Sequence, residues 1–401
     1  MLLQPVHDIT VYEKSTVIGG HTRTKTVDYR GRQIAVDTGF IVFNYRNYPL
    51  LSALFRHLRV PVQKSNMSFG LTIGGGRLEW GAESLRAVFG QWSNLFNPKF
   101  LRFLLDIVRF NRAAKSFVVK HPDVTLGEML KIMRVSDWFS LYYILPMGGA
   151  IWSCSLDAML AFPARVFVDF FDAHGLLTVT QQPQWYTVTG GSQEYVKRLV
   201  APFADRIRTA CAAMAVTRKN GKVQVSDGRG ETLEYDQVIL ACHGDEALAM
   251  LQDATPEERS ALGAFTYQKN HAVLHCDPSF MPRRRICWAS WIYRDAPPSN
   301  HAGICVTYWM NQLQDIDKQY PLFVTLNPDK PIPDDLVFDR HDFTHPVYSQ
   351  AAVDAQGKIA ALQGRNHIWF CGAYLYNGFH EDGLKSAVNV ARKLGAEVPW
   401  Q

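Results

Sequence analysis

The sequence offers little that would tie it to a metal, a disulfide scaffold, a membrane span or a nucleic acid. Its seven cysteines, at 154, 211, 242, 276, 287, 305 and 371, are dispersed and show no CxxC or Cys/His ligand spacing. That argues against a disulfide framework or a zinc site and fits a reducing compartment. No uninterrupted apolar run reaches the roughly 20 residues that a helical bilayer span needs. The opening MLLQPVHDITVYEK lacks the basic start and long apolar stretch of a secretory signal, so the expected location is the cytoplasm. Basic charge is nearly balanced by acid and spread along the chain: the net charge is +5, and Arg283, Arg284 and Arg285 are the one compact cluster, read as a solvated loop. Nucleic acid is therefore not an expected partner. No Ser/His/Asp arrangement, metal set or acid/base pair of carboxylates marks an active site.

What is present is 401 residues, 47% hydrophobic and 20% charged, an ordinary globular composition with material for two or three domains. Ile9 to Glu13 reads as a strand ending in an acid, followed by Gly19-Gly20. Residues 31 to 43 read as a hairpin arm and a turn at Asp37-Thr38-Gly39. A helix is expected from about Asn47 to Arg59, and two strands around Gly74-Gly75-Gly76. From about Glu83 to Val168 the apolar spacing is helical; FLRFLLDIVRF and WFSLYYILPM within it read as buried helices, with lipid-surface contact as the minor alternative.

Further on, Trp185 to Val188 reads as a strand entering the helix QEYVKRLVAPF through Gly190-Gly191-Ser192. Ala212 to Arg218 and Lys222 to Ser226 form a hairpin about Asn220-Gly221, and Tyr235 to Ala241 one continuous strand. Residues 267 to 328 are strand-rich, Pro331 to His345 is expected to be a loop, HIWFCG is a buried strand, and a helix closes the chain from Asp382. This alternation implies an α/β domain interrupted by another. The expected division assigns 1–48, 185–250 and 345–401 to a discontinuous nucleotide-binding domain, and 49–184 and 251–344 to a substrate domain containing the helical block.

Three segments carry chemistry. Glu13, at a strand tip six residues before Gly19-Gly20, is placed to accept hydrogen bonds from ribose hydroxyls, and the glycines let backbone approach a pyrophosphate. HIWFCGAY, then Gly378-Phe379-His380-Glu381-Asp382-Gly383 and a helix, aims unpaired N–H groups at anionic oxygens. Gly190-Gly191-Ser192 fits a helix cap better than a site.

In order and spacing these segments resemble the flavin amine-oxidase superfamily, which includes monoamine oxidases, protoporphyrinogen oxidase and phytoene-desaturase-like enzymes. Within it the chain looks closest to bacterial FAD-dependent oxidoreductases related to the region fused to some cyclopropane-fatty-acid synthases. The matching text spans VYEKSTVIGGHTRT, VDTGFIVFN, TGGSQEYVKRL, YDQVILACHGDEALAML, NHAVLHCDPSFMPRRR, VTYWMNQLQ and HIWFCGAYLYNGFHEDGLKSAV. The resemblance implies an α/β fold, with a Rossmann-like FAD-binding domain interleaved with a mixed α+β substrate domain and the cofactor extended between them. It implies that Glu13 binds the adenosine ribose and that Gly19, Gly20, His21 and Thr22 line the pyrophosphate. Thr38, Gly39 and Phe40 would pass beside the flavin ring, Ala213 would meet the adenine edge, and Gly372, Ala373, His380, Glu381 and Asp382 would form the C-terminal flavin motif. Many relatives carry an acid at the position of Ala373.

Relatives open with a strand, a GxGxxG loop and a helix, about 30 residues in all; Met1-Leu2-Leu3-Gln4 resembles the tail of that helix. A start codon assigned downstream, or a gene remnant, is the expectation, with neighbouring sheet edges left unpaired. In the superfamily the flavin takes a hydride from a C–N or C–C bond. Near its ring the resemblance points to Asn270, where relatives often have lysine, and to His345 and Phe379; Lys269 lies on the opposite strand face. An apolar substrate, a lipid acyl chain or else an amine, is implied. The competing reading is a flavin-free paralogue acting as a binding or scaffold protein, or as an inactive remnant. An NAD(P)H-linked reductase lacks support, because no second glycine-rich nucleotide fingerprint follows.

Overall fold

The computed structural model describes residues 1–178, 182–295 and 304–400. Its largest element is a seven-stranded sheet in the order Val337–Val347, Thr266–His275, Phe323–Leu326, Cys305–Trp309, Trp291–Arg294, Phe69–Ile73, Leu78–Gly81. One pair, Trp291–Arg294 with Phe69–Ile73, is parallel. The interior strands Cys305–Trp309 and Phe323–Leu326 are buried at every position, as expected when both faces of a sheet are covered.

Helices cover one face. The longest, Pro98–Lys120, starts on Asn97, whose side chain accepts from Lys99 N, and has proline in its first turn. Its buried residues Phe100, Phe103, Phe110, Ala114 and Val118 recur at helical spacing. Trp80 of the sheet meets Phe103 at 5.5 Å and Tyr143 at 6.1 Å between ring centroids. This aromatic layer is the heart of the largest core.

A second core holds Val216, Val223, Leu240, Ala247, Ile359 and Phe370. Around it stand two short parallel pairs, Val11–Tyr12 with Ile207–Arg208 and Val238–Leu240 with Ile368–Phe370. A three-stranded meander, Ala213–Lys219, Lys222–Asp227 and Thr232–Tyr235, completes it. Its first turn has Asn220 at φ 50° and Gly221 at φ 75°, the left-handed pair that a two-residue hairpin requires. Among the described residues neither parallel pair gains a third strand. Val11, Tyr12, Val238, Ile239 and Leu240 all border one cavity, and the Lys14–Glu246 ion pair joins the ends of the two pairs beside it.

Two expected elements differ. Pro331 to His345 is not a loop: Val337–Val347 is an 11-residue strand paired with Thr266–His275. It lies at the sheet edge, where Asp, Arg and His side chains reach solvent and Pro346 sits near the strand end, so its polarity mimics a loop. Tyr235 to Ala241 is not one strand: Thr232–Tyr235 ends in the meander and Val238–Leu240 begins the parallel pair, with Asp236 and Gln237 turning the chain between two sheets.

Candidate flavin cavity

A single cavity of about 2650 Å³ runs from Glu13 to the turn at Gly378, and on to the apolar face of the large sheet. Glu13 sits where Val11–Tyr12 ends, held by its N–H to Arg208 O and by Cys211 N to its own carbonyl. One carboxylate oxygen accepts from Ser15 N at 2.7 Å. Beyond it the chain turns at Gly19 (φ 127°) and Gly20 (φ 55°). A Cβ on Gly19 would lie 2.7 Å from Thr22 O, so a side chain there would fill the cradle.

Thr22, Tyr195 and His380 close a triangle of hydrogen bonds: Thr22 Oγ1 to Tyr195 Oη 2.5 Å, Thr22 Oγ1 to His380 Nε2 2.9 Å, and Tyr195 Oη to His380 Nε2 2.7 Å. Phe40 stacks on His380, centroids 3.9 Å apart at 13°. Gly39 lets this strand cross His21, because a Cβ there would stand 2.0 Å from His21 O; Phe40 N donates to the same carbonyl at 2.8 Å. Thr38 and Ala213 also border the cavity.

At the other end, Gly372 N donates to Ser386 Oγ at 2.9 Å. Gly378 is left-handed (φ 94°), where a Cβ would strike Tyr348 Oη at 2.7 Å. The helix His380–Lys393 follows, its first i to i−4 bond running from Gly383 N to Phe379 O. The N–H groups of its first turn therefore open toward the space bordered by Gly372, Ala373, His380 and Gly383.

Two residues of this motif do other work. Glu381 accepts from Leu50 N (2.8 Å) and Leu51 N (2.9 Å), capping the neighbouring helix Pro49–His57. Asp382 accepts from Phe379 N at 3.0 Å and caps its own helix; burial pushes its carboxyl up to about 6. Gly190-Gly191-Ser192 likewise folds around a buried carboxylate. Asp37 accepts from Ser192 N, Ser192 Oγ, Thr24 Oγ1 and Gln314 Nε2, yet burial still raises it to about 6.

Asn270 is buried behind the cavity wall and fixes His345, which faces the cavity. The N–H of His271 donates to Asn327 Oδ1 (2.9 Å), so Asn327 Nδ2 donates to Asn270 Oδ1 (2.8 Å). Asn270 Nδ2 then donates to Ser153 O (2.9 Å) and to His345 Nδ1 (3.0 Å). His345 Nδ1 is an acceptor, and its proton resides on Nε2. Burial pushes this imidazole down to about 3, with His21 and His243 adding repulsion. His21 falls to about 4 and His380 to about 3 for the same first reason. All three border the cavity, so these imidazoles are uncharged at pH 7.

Phe379 stacks on Phe170, centroids 4.6 Å apart. Lys269 points away, paired with Asp342 at 2.8 Å. The Arg283–Arg285 cluster is not simply solvated: Arg284 pairs with the buried Glu79 at 2.8 Å and Arg285 lies over Trp288 at 4.4 Å. The inner arm of the cavity is bordered by Met67, Phe69, Tyr143, Met147, Ile151 and Trp291. Asn111 Oδ1 and Trp291 Nε1, both at this arm, have no hydrogen-bond partner among the described residues. No group of metal-ligating side chains occurs among the described residues. Sequence reasoning missed Tyr195 and Asn111, each spaced like an ordinary residue of its own helix, Phe343, in a segment that reads as a loop, and His243, just before the helix Gly244–Met250.

The cavity thus joins an acid-tipped strand, two glycine turns and a helix start, separated in sequence by over 350 residues. A model of the family of flavin-containing amine oxidoreductases matches residues 1–284. No curated protein matches. Among solved structures, a fatty acid isomerase from P. acnes that produces CLA is similar over 98% of this chain and 95% of its own (13% identity, TM-score 0.69). Cyclohexylamine oxidase from Brevibacterium oxydans is similar over 98% and 95% (13% identity, TM-score 0.68). Putrescine oxidase with bound putrescine is similar over 98% and 94% (12% identity, TM-score 0.67). At these identities the likeness is one of fold.

Proposed function

The chain belongs to the family of flavin-containing amine oxidoreductases, and from that premise we propose that this FAD-dependent oxidoreductase dehydrogenates an apolar substrate, of which a lipid acyl chain is the leading candidate. The observation that carries the substrate proposal is the inner arm, walled by Phe69, Met147, Ile151 and their neighbours, which removes an alkyl chain from water. An amine is the alternative. Asn111 Oδ1 and Trp291 Nε1, buried and unpaired, lie in residues that border this arm.

On the proposed division, 1–48, 185–250 and 345–401 would hold the nucleotide, and 49–184 and 251–344 the substrate. On the proposed assignment Glu13 takes the ribose hydroxyls. Gly19, Gly20, His21 and Thr22, with the helix start at His380, take the pyrophosphate. Thr38, Gly39, Phe40, Gly372 and Ala373 border the ring, and Ala213 borders the adenine. Asn270 acts as a positioning residue, holding His345 with Nε2–H as a donor. Glu381 and Asp382 serve the site as helix caps rather than by contact. The chemistry supplied by a bound flavin is removal of a hydride from carbon. The protein's part is to orient the chain, exclude water and present uncharged imidazoles.

The test is turnover by the FAD-loaded protein, comparing acyl lipids with polyamines and simple primary amines. Oxidation of an acyl lipid is expected; turnover of polyamines with none of acyl lipids eliminates the acyl proposal.

A further inference from the structure

The helix Pro98–Lys120 has a second apolar face that nothing in the fold covers. At 100° per residue, Leu101, Leu105, Val108 and Val119 fall within an arc of about 60°, opposite the buried Phe103 and Phe110. All four are exposed, Leu105 at 63% and Val119 at 78%. The short helical turn Trp92–Phe96, immediately before this helix, adds Trp92 (78% exposed) and Phe96 (86%) at one end of the stripe. Large aromatic and aliphatic side chains exposed together mark a contact surface, whereas single ones need no explanation.

The exposed charge of this helix has one sign, and two of its cations interrupt the stripe between Val108 and Val119: Arg112 inside the arc and Lys115 just outside it. Lys99, Arg102, Arg109, Arg112, Lys115 and Lys120 are all exposed. The helix has one acid, Asp106, which is buried and bound by Arg102 and Arg109; Lys115 is paired with Asp172. No helix among the described residues is long and apolar enough to cross a membrane.

We propose that this face docks the protein on an anionic lipid bilayer. The helix would lie in the plane of the interface, with Trp92, Phe96 and the leucines inserted and the cations at headgroup level. A bilayer matches both the apolar stripe and its positive rim. A symmetric contact between two copies sets the same basic rim against itself, and a phosphate backbone leaves the stripe uncovered. The inference stands on the exposed face alone and does not rest on the acyl substrate proposed above. Asn111, on the flank of the same helix, borders the cavity's apolar arm.

The test is co-sedimentation of the full-length, flavin-loaded protein with phosphatidylcholine vesicles, with and without one quarter phosphatidylglycerol. A triple variant, W92S/F96S/L105S, is run beside it, its fold checked by circular dichroism. Binding is expected with anionic vesicles, weakened about tenfold in the variant and also weakened by added salt. Three results each overturn the proposal: no binding to anionic vesicles, equal binding by the variant, or a solution dimer that the variant dissociates.

Discussion

Asn270 and His345 show how a single amide sets the character of the cavity wall. Because the proton assignment descends from the backbone N–H of His271 through two asparagines, reversing one acceptor reverses the ring. In Asn270→Asp a carboxylate faces His345 Nδ1, favours the imidazolium and raises the His345 pKa from about 3 by roughly 1–3 units. A ¹⁵N NMR titration of the imidazole reads this directly, and an unchanged value would show that the two side chains are uncoupled. Asp37 is a second fixed point. Asp37→Ala leaves the Ser192 and Thr24 donors and the Gln314 amide without their acceptor, at a cost of about 2–4 kcal/mol in urea unfolding. At this scale the glycines were legible, because a left-handed turn leaves its mark in one or two adjacent letters. Tyr195 and His243 were not. A tyrosine on an amphipathic helix face reads as core until the fold brings Thr22 and His380 to its hydroxyl.

At the scale of elements, Glu381 separates motif from geometry. Its place in GFHED predicts a cofactor contact, but its carboxylate reaches across to the first turn of Pro49–His57. Glu381→Ala is expected to destabilise the fold by about 1–2 kcal/mol through loss of a helix cap, while FAD content per chain stays within error of the parent. Loss of flavin with unchanged stability would restore the contact reading. The helical block was legible through its apolar spacing and the meander's first hairpin through its turn residues Asn220-Gly221. The edge strand Val337–Val347 was hidden because it is rich in polar residues, only Phe343 of its 11 being buried, and its order comes from the partner Thr266–His275. Pairing between segments some 70 residues apart has no local signal.

For the whole molecule, pH dependence sums many such burials. His21, His174 and His275 are lowered to about 4, and His345 and His380 to about 3, all chiefly by burial. Between these values and an unfolded value near 6.5 the unfolded chain binds more protons, so each costs stability as pH falls through that window. Asp37 and Asp382, raised to about 6, act oppositely: the folded state binds more protons between about 4 and 6, and stability falls as pH rises there. Five histidines with the larger shifts outweigh two aspartates. The thermal midpoint should therefore rise from pH 5 to pH 7, each neutral histidine being worth about 2 kcal/mol at pH 5. A midpoint that falls over that range would mean these rings are solvated and charged.

The interleaved architecture was legible because segments far apart in sequence each kept their own pattern; the shape of the space between them was not. Titration of the purified protein with FAD, read by the flavin absorbance bands and by the FAD recovered per chain, tests whether Glu13 and the turn at Gly378 serve one dinucleotide. One FAD per chain is predicted, with affinity reduced about tenfold or more by Glu13→Ala at one end and by Gly378→Val at the other. A colourless protein that takes up no FAD, or one whose affinity ignores either substitution, would contradict it.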